Sequence, residues 1–305
     1  MYDVIIIGGG AAGLTAGLYA GRGGLKTLII EKLYVGGQAA TTYEVDNYPG
    51  LNETVSGPDL MMKMEAHAKK FGAEIVYEEV IDLEVDGIKK LVKTNQNTYQ
   101  SKTLILAMGA TWKELGLEKE KEFRGVGVSY CATCDGAFYR DKVTAVVGGG
   151  DTAIEDALFL SRFCTKVYVI HRRNQLRAVK VLQDAAFAND KIEFIWDTTV
   201  EKILGNHAVE GITVKNVKTN ETKDLKIDGL FIAVGVVPNS DLVRGKIELN
   251  ERGYILTDES MQTNKFGVYA AGDIREKPLR QIITAAADGA IAAYAAERYI
   301  SENKW

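Results

Sequence analysis

The residues best suited to covalent chemistry in this sequence are two closely spaced cysteines. Cys131 and Cys134 lie in the segment Tyr130-Cys-Ala-Thr-Cys-Asp135. Two cysteines at this spacing can form a reversible disulfide, and their proximity can hold one thiol as a thiolate, which is a nucleophile at neutral pH. The pair therefore predicts dithiol–disulfide exchange. Asp135 could protonate the departing thiolate, although a helix-cap or turn role accounts for an aspartate here equally well.

A zinc site and a purely structural disulfide are the alternatives for this pair. A structural zinc site needs four Cys or His ligands. The rest of the sequence offers only Cys164, His67, His171 and His207, with no second close pair. Metal binding is therefore not expected, and a strand-rich cytosolic domain has no evident need for so small a structural ring. Cys164 lies in an apolar helical stretch and is predicted to be a small buried hydrophobic residue.

The elements around the cysteine pair belong to a strand–turn–helix unit that occurs twice in the chain. The first copy has an apolar strand at 4–7, the turn Gly8-Gly-Gly-Ala-Ala-Gly13, a helical stretch, a second strand at 27–30 and Glu31. The second has a strand at 143–147, the turn Gly148-Gly-Gly-Asp-Thr-Ala153, a helical stretch to about Phe163, a strand at 167–170 and His171. Each copy closes with an apolar run that ends in Ala-x-Gly, at 104–109 and 230–235. Such turns let backbone N–H groups approach a pyrophosphate. Two complete copies predict two dinucleotide-binding domains.

The residue at the end of the second strand predicts a different nucleotide for each copy. Glu31 can accept hydrogen bonds from both ribose hydroxyls and would repel a 2'-phosphate, so the first site suits FAD or NAD. The second copy instead carries His171, Arg172 and Arg173, with Arg177 shortly after. Because a guanidinium fork matches a phosphate dianion, the second site is predicted to bind NADPH. A solvated acid and a solvated basic face are the simpler alternatives.

The domain organisation follows from this repeat and from the C-terminal segment. We expect an α/β fold with two Rossmann-like, three-layer ββα domains, the second inserted into the first. The FAD-binding domain would comprise residues 1–112 and 241–305, because the segment after 240 is too short to form a third domain. The NADPH-binding domain with the redox cysteines would comprise residues 113–240.

Composition restricts the class of protein and its partners. The chain has 305 residues, 46% hydrophobic, with 37 basic and 41 acidic side chains and a net charge of -4. These values predict a compact globular protein and give no reason to expect nucleic acid as a partner. The alanine-rich stretch from Ala285 to Ala296 is interrupted by Asp288, and the N-terminus lacks signal-peptide features. We therefore expect a cytoplasmic protein without a membrane span.

The sequence closely resembles the low-molecular-weight, bacterial-type thioredoxin reductases over essentially its whole length. The motifs that carry the resemblance are Gly8 to Gly13, Gly36-Gly37-Gln38, Asp46-Asn47-Tyr48-Pro49-Gly50, Cys131 to Asp135, Gly148 to Ala153, His171-Arg-Arg173, Ala271-Gly272-Asp273 and Arg280-Gln281. The resemblance implies FAD in the first domain, a homodimer, and thioredoxin as the protein substrate. Two departures from the family pattern, Met108 and Ile282, stand where smaller residues are usual and could alter flavin packing.

Residue by residue, the motifs and the resemblance together give the candidate site. For FAD, the candidates are Gly8, Gly10, Ala11, Ala12, Gly13, Glu31, Gly37, Gln38, Asn47, Gly109, Asp273, Arg280, Gln281 and Ile282. For NADPH, they are Gly148, Gly150, Asp151, Thr152, His171, Arg172, Arg173 and Arg177. The catalytic candidates are Cys131, Cys134 and Asp135.

The expected reaction is hydride transfer from NADPH to FAD, reduction of the Cys131–Cys134 disulfide, and exchange of the dithiol with thioredoxin. Because the nicotinamide and the cysteine pair belong to one domain and must both reach the same flavin, we expect that domain to rotate about the segments near 110–113 and 238–243. The alternatives are a reductase of the same architecture that serves a peroxiredoxin-like or glutaredoxin-like acceptor, a ferredoxin-linked variant, and a flavin-bound redox sensor without turnover.

Overall fold

The computed structural model describes residues 1–42, 45–303 and 305. The chain divides into two compact units. Unit 1 comprises residues 1–111 and 237–305, and unit 2 comprises residues 112–236. The second unit is thus inserted into the first, which confirms the predicted fold class. Which nucleotide each unit binds stays a prediction.

Unit 1 begins with a sheet built on the first glycine-rich repeat. Its elements up to the insertion are β1 (Tyr2–Ile7), α1 (Ala11–Arg22), β2 (Thr27–Glu31), a 3₁₀ turn (Gly37–Thr41), α2 (Gly57–Lys70), β3 (Glu74–Tyr77), β4 (Val80–Glu84), β5 (Lys90–Thr94), β6 (Thr98–Leu106) and β7 (Ala110–Trp112). The strand order is β3-β2-β1-β6-β5-β4. The pairs β3–β2, β2–β1 and β1–β6 are parallel, whereas β4, β5 and the start of β6 form an antiparallel meander.

Strand β1 shows why this sheet is apolar on both faces. Val4 and Ile6 pack into a cluster with residues of α1, whereas Ile5 and Ile7 pack into a second cluster with meander residues such as Leu83. Alternating side chains of a strand point to opposite faces, so an unbroken apolar run is what a sheet covered on both sides requires. The result is the three-layer arrangement predicted from the sequence.

Unit 2 repeats the arrangement with a second parallel sheet. Its elements are β8 (Val128–Ser129), α3 (Ala132–Asp135), a 3₁₀ turn (Gly136–Tyr139), β9 (Val143–Val147), α4 (Asp151–Leu160), β10 (Lys166–Ile170), α5 (Lys180–Phe187), β11 (Ile192–Ile195), β12 (Thr198–Leu204), β13 (Gly211–Asn216), β14 (Thr222–Lys226) and β15 (Gly229–Ile232). β16 (Val236–Pro238) begins at the last residue of unit 2 and continues into unit 1. The parallel order is β11-β10-β9-β15-β8, and β12, β13 and β14 form a meander. α4 ends at Leu160, so the helix predicted to reach about Phe163 is shorter by one turn.

The C-terminal segment returns to unit 1, as the sequence predicted. It contains a 3₁₀ turn (Asp241–Val243), β17 (Val268–Ala270), a second 3₁₀ turn (Gly272–Ile274) and α6 (Ile282–Glu302). β17 pairs in parallel with β6. A Cβ added to Gly289 of α6 would lie 2.1 Å from the carbonyl oxygen of Ala12 in α1. The two helices therefore pack closely at the point where α1 begins.

The two glycine-rich repeats are also equivalent in their packing. A Cβ added to Gly8 would lie 2.4 Å from the carbonyl oxygen of Ala107, and one added to Gly148 would lie 2.5 Å from that of Ala233. Both glycines have positive φ. Each turn therefore abuts the Ala-x-Gly segment that closes its own copy, and only glycine fits there.

A buried carboxylate in the unit 1 meander stabilises the strand end that presents Glu31. Glu78 is 8% exposed. Its carboxylate accepts hydrogen bonds from Thr94 Oγ1 at 2.6 Å and from Asn97 Nδ2 and Tyr99 OH at 2.8 Å each. Its backbone N–H donates to the carbonyl of Glu31. Burial alone would raise the pKa of Glu78, but the three hydrogen bonds together lower it.

Replacing Glu78 with glutamine should therefore destabilise unit 1 at neutral pH by about 2 kcal/mol, because the amide presents donors where the network needs an acceptor. The midpoint of thermal unfolding should fall by roughly 2–4 °C per kcal/mol. A carboxylate whose pKa is lower in the folded state than in the unfolded state stabilises the fold at a pH above the unfolded-state pKa. This stabilisation is lost as the pH falls through the folded-state pKa. The difference between wild type and variant should thus shrink below about pH 4.

Glu79 provides the matched control for this experiment. It is the next residue in the chain, is exposed, and pairs with the exposed Lys32 at 2.7 Å. An exposed ion pair of this kind contributes little, so Glu79→Gln should leave the unfolding midpoint within about 1 °C of the wild-type value. Equal effects of the two substitutions would contradict a specific role for the buried network.

No helix in the described part of the chain is both long and apolar enough to span a membrane.

Candidate active site

The first glycine-rich turn forms an open cradle in unit 1. Gly10 precedes α1 and has no side chain with which to cap the N–H groups of its first turn. No described atom lies within 4 Å of a Cβ built on Gly10 or on Gly109, and the only one near Gly37 is the Cα of Gly10. Uncapped N–H groups beside free space fit a pyrophosphate at a helix N-terminus.

Glu31 lies beside this cradle at the end of β2. Its Oε2 accepts a hydrogen bond from the backbone N–H of Gly9 at 2.7 Å, and its Oε1 accepts one from Leu33 at 3.2 Å. The carboxylate is therefore held against the glycine turn, where the sequence placed it. That it binds a ribose stays a prediction.

Several side chains that are distant in sequence also meet in unit 1. Asn47 Nδ2 donates to Gln281 Oε1 at 3.1 Å. The Gln281 side chain in turn caps α6 by accepting a hydrogen bond from the backbone N–H of Thr284. Gln38 donates to the carbonyl of Ala110. These contacts bring the predicted residues of the first segment together with those of the returning tail.

Asp273 and Arg280 have the only buried side-chain atoms in the described chain without a hydrogen-bond partner, namely Asp273 Oδ1 and Arg280 Nε. Burial raises the pKa of Asp273, although the charges of Lys277 and Arg280 act in the opposite direction. The Arg280 guanidinium lies over the ring of Tyr254, 4.3 Å from its centroid. A buried acceptor and a buried donor left unsatisfied are what a polar ligand at this place would complete. Together with the cradle, they fit FAD.

The second glycine-rich turn forms a comparable cradle in unit 2. No described atom lies within 4 Å of a Cβ built on Gly150, which precedes α4. Thr152 is exposed on the first turn of the helix. The side chain of Asp151 accepts a hydrogen bond from the backbone N–H of Val179 at 2.7 Å. Part of its hydrogen-bonding capacity is thus used to hold the segment that follows Arg177.

The basic residues predicted to bind NADPH cluster at the end of β10. His171 is 5% exposed, its ring lies against Gly149, and its Nε2 is 3.1 Å from the carbonyl of Gln175. Burial lowers the pKa of His171, and the charges of the nearby arginines lower it further. Arg172, Arg173 and Arg177 are exposed, and none forms an ion pair with a residue that the structure describes. Three guanidinium groups are therefore free to bind an anion.

Cys131 and Cys134 form a disulfide in unit 2. The pair lies between β8 and the 3₁₀ turn at Gly136–Tyr139, with Cys134 and Asp135 in the short helix α3. The preceding residue, Tyr130, is buried; its hydroxyl donates to Glu120 Oε1 at 2.6 Å, and burial together with this carboxylate raises its pKa. Glu120 also accepts hydrogen bonds from the backbone of Leu115 and Leu117. The chain entering the disulfide is thus fixed from one side.

The chain is similar to known proteins over nearly its whole length. A family model for pyridine nucleotide-disulphide oxidoreductases matches residues 2–289. The thioredoxin reductase of Peptoclostridium acidaminophilum is 48% identical over 99% of this chain and 98% of its own length, and that of Bacillus subtilis is 48% identical over 99% and 96%. The chain belongs to the thioredoxin reductase family. A solved thioredoxin reductase structure, from Streptococcus pyogenes, has 47% identity and a TM-score of 0.95, with 99% of each chain covered.

Membership of the thioredoxin reductase family confirms the resemblance seen in the sequence and the redox interpretation of the cysteine pair. The two departures from the family pattern, Met108 and Ile282, both lie in unit 1. Met108 packs against the apolar cluster that contains Ile5 and Ile7, and its carbonyl accepts a hydrogen bond from Asn239. Ile282 is the first residue of α6 and packs near Ala11. Their effect on flavin packing stays a prediction.

Ser129 is a residue of the site that sequence reasoning missed. Its hydroxyl donates to Asp135 Oδ2 at 2.6 Å and accepts a hydrogen bond from the backbone N–H of Cys131 at 3.1 Å. It therefore connects the predicted acid to the redox disulfide. A serine two residues before a cysteine carries no signal of its own, because serine is common in strands and turns. Cys164 is buried as predicted, and burial raises the pKa of its thiol.

Proposed function

We propose that this chain is an NADPH-dependent thioredoxin reductase that contains FAD and exchanges electrons with thioredoxin through Cys131 and Cys134. The observation that carries the proposal is the Cys131–Cys134 disulfide, joined through Ser129 to the carboxylate of Asp135. Full-length similarity to proteins named thioredoxin reductase supports thioredoxin as the substrate.

FAD would be held in unit 1 by the cradle at Gly8, Gly10, Ala11, Ala12 and Gly13, with Glu31 beside it. The unsatisfied atoms Asp273 Oδ1 and Arg280 Nε would form hydrogen bonds with it. When bound, FAD would supply two-electron transfer between a pyridine nucleotide and a disulfide. NADPH would be held in unit 2 by the turn at Gly148 and Gly150 and by Arg172, Arg173 and Arg177. The free guanidinium groups support the 2'-phosphate form of the nucleotide.

The exchange with thioredoxin is chemistry of the two cysteines. In the reduced pair, one thiolate would attack the substrate disulfide, forming a mixed disulfide and releasing one substrate sulfur. The second cysteine would then attack the mixed disulfide, re-forming Cys131–Cys134 and releasing the other sulfur. Each departing thiolate needs a proton if it leaves as a thiol. In this proposal Asp135 supplies such a proton. The hydrogen bond from the Ser129 hydroxyl to the Asp135 carboxylate supports a fixed orientation of this side chain.

Replacing Asp135 with asparagine should slow thioredoxin reduction by roughly 10²-fold or more, because the amide keeps the shape and the hydrogen-bonding capacity but carries no transferable proton. The pH profile of kcat/KM for thioredoxin should lose the limb that belongs to this acid. Asp141→Asn is the matched control, since Asp141 is exposed and lies past the 3₁₀ turn. An Asp135→Asn enzyme with an unchanged profile would exclude the proton-transfer role.

Three further features are proposed with this function. The resemblance implies a homodimer, and the sequence features given above predict a cytoplasmic location. Because the nicotinamide and the cysteines must share a single flavin, we also expect unit 2 to rotate. Engineered cysteines that lock one orientation should suppress turnover while leaving one half-reaction intact. Full steady-state activity of the locked enzyme would refute the rotation.

The decisive test of the function is NADPH oxidation by the purified, flavin-loaded protein in the presence and absence of thioredoxin. We expect rapid oxidation that depends on thioredoxin. Turnover with a glutaredoxin-like or peroxiredoxin-like protein alone would point to another acceptor. Reduction by ferredoxin but not by NADPH would overturn the nucleotide assignment, and a single reduction without turnover would indicate a redox sensor.

A further inference from the structure

A buried charge cluster in the returning tail of unit 1 lies next to the proposed FAD site. Asp288, on α6, is 6% exposed. Its Oδ2 accepts hydrogen bonds from Lys277 Nζ at 2.7 Å and from the backbone N–H of Gly272 at 3.0 Å. Arg275 Nη1 lies 3.4 Å from the same oxygen, and its Nε donates to Thr257. One carboxylate therefore collects two cations and one backbone donor.

The cluster ties together the two structures that form the proposed FAD site. Gly272 begins the 3₁₀ turn that carries Asp273. A Cβ added to Gly272 would lie 2.9 Å from the Cβ of Ala12, in the first turn of α1. The neighbour of Asp288, Gly289, packs against the carbonyl of the same Ala12. Asp288 thus holds the Asp273 turn against the helix N-terminus that faces the glycine cradle.

The two positively charged side chains of this cluster pair with Asp288 and leave an oxygen of Asp273 without a partner. Lys277 and Arg275 are both within ion-pair distance of Asp288. Asp273, one residue after Gly272, has a buried Oδ1 with no partner. Lys277 shares the Oδ2 atom of Asp288 with the backbone N–H of Gly272, the residue before Asp273. Burial raises the pKa of Asp273, and the charge of Lys277 opposes this rise. The side chain of Lys277 is only 4% exposed, so solvent cannot replace a lost carboxylate partner.

We propose that Asp288 is a positioning residue for FAD binding: by holding Lys277, it keeps Asp273 Oδ1 uncommitted and available to a hydrogen-bond donor of the cofactor. Without the negative charge at 288, the ammonium group would turn to Asp273, the nearby carboxylate. The oxygen that FAD would use would then be occupied by an internal ion pair. This inference rests on the proposed function, since it concerns the same FAD site.

The test measures FAD binding to flavin-free protein by fluorescence titration, comparing wild type with Asp288→Asn, Lys277→Met and the double variant. Asparagine keeps an acceptor for Gly272 but removes the charge. Asp288→Asn should raise the dissociation constant for FAD about tenfold or more, because a charged partner has been released next to the site. Lys277→Met should change it by less than about threefold, and the double variant should recover affinity to within about threefold of wild type.

If the Lys277–Asp288 ion pair had only a structural role, the double variant would bind FAD at least as weakly as Asp288→Asn. Glu302→Gln is the matched control, because Glu302 lies on the same helix in an exposed pair with Arg298. Unchanged FAD affinity in Asp288→Asn, or no recovery in a folded double variant, would overturn the inference while wild-type binding upholds the proposed function. If wild type itself binds no FAD, both fall. Should Asp288→Asn fail to fold, the double variant decides by binding FAD or not.

Discussion

Serine at either Cys131 or Cys134 is expected to reduce NADPH-dependent thioredoxin reduction at least about a thousandfold. A serine hydroxyl cannot form the disulfide that accepts two electrons, and it is not ionised at neutral pH, so neither half of the exchange can proceed. The measurement is NADPH oxidation with thioredoxin as the acceptor. Flavin content should be unchanged, because the two cysteines belong to unit 2 and the proposed FAD cradle belongs to unit 1.

Cys164→Ser provides the matched control within the same unit. Cys164 is buried, is not disulfide-bonded, and its sulfur lies 3.3 Å from the carbonyl of Tyr139, which a hydroxyl could also contact. This variant should keep most of its activity. Equal activity in all three serine variants would eliminate the proposed redox centre.

The same two variants decide which cysteine attacks thioredoxin. Each is mixed with a thioredoxin that retains only one of its two cysteines and is activated as a mixed disulfide with a chromophoric thiol. The variant that retains the attacking thiol should form a stable covalent complex, because the resolving cysteine is missing. The other variant should react slowly. Comparable complex formation by both would mean that neither cysteine has a dedicated role.

Much of the fold was predictable because its signals are local. An apolar run, a glycine turn and a second apolar run identify each repeat within about 30 residues. The segment after the second copy is too short for a third domain, which predicts that it returns to the first and that the second copy is an insertion. The structure adds contacts that the sequence does not contain. The packing of Gly8 against Ala107 joins residues that lie far apart in the chain, and the match with Gly148 and Ala233 becomes visible only in three dimensions.

Asp288 illustrates why the polar residues were harder to interpret than the glycines. In the sequence it merely interrupts an alanine-rich stretch and argues against a membrane span. In the structure it is the buried partner of Lys277 and Gly272. The residues next to Asp288 in the sequence do not predict this role, because its partners lie in the segment before α6. Glu78 and Ser129 were missed for the same reason, since their partners are set by strand pairing and turn geometry.

Asp151 lies at a motif position but also has a structural role that the motif did not predict. Its place in the glycine turn predicted a contact with NADPH. The structure gives its carboxylate a hydrogen bond to Val179, which draws the segment containing Arg177 toward the start of α4. The backbone of Arg177 also donates to the carbonyl of Gly149 at 2.6 Å. A residue at a motif position can therefore support a binding site by placing its loop.

The preference for NADPH over NADH should depend on the three arginines at the end of β10. Replacing Arg172, Arg173 or Arg177 singly with alanine removes a charge-assisted hydrogen bond to the 2'-phosphate, worth about 1.5–3 kcal/mol. That corresponds to an increase of roughly 10- to 150-fold in KM for NADPH. KM for NADH should change little, because NADH lacks the phosphate. The measurement is steady-state oxidation of both nucleotides with thioredoxin in excess.

Arg140→Ala is the control, since Arg140 is also exposed in unit 2 but lies over the ring of Phe163, which precedes β10, whereas the three arginines follow its C-terminal end. It removes the same charge from the unit as a whole and should leave both KM values unchanged. If the arginines acted only through the overall positive charge of the unit, every variant, including Arg140→Ala, would bind NADPH more weakly to the same extent. These differences in KM would then disappear at high salt. A loss confined to Arg172, Arg173 and Arg177, and to the nucleotide that carries the phosphate, requires direct contact. It would also make Glu31 and the segment His171-Arg172-Arg173 equivalent positions at the end of one repeated strand, where a carboxylate in one copy and guanidinium groups in the other select different nucleotides.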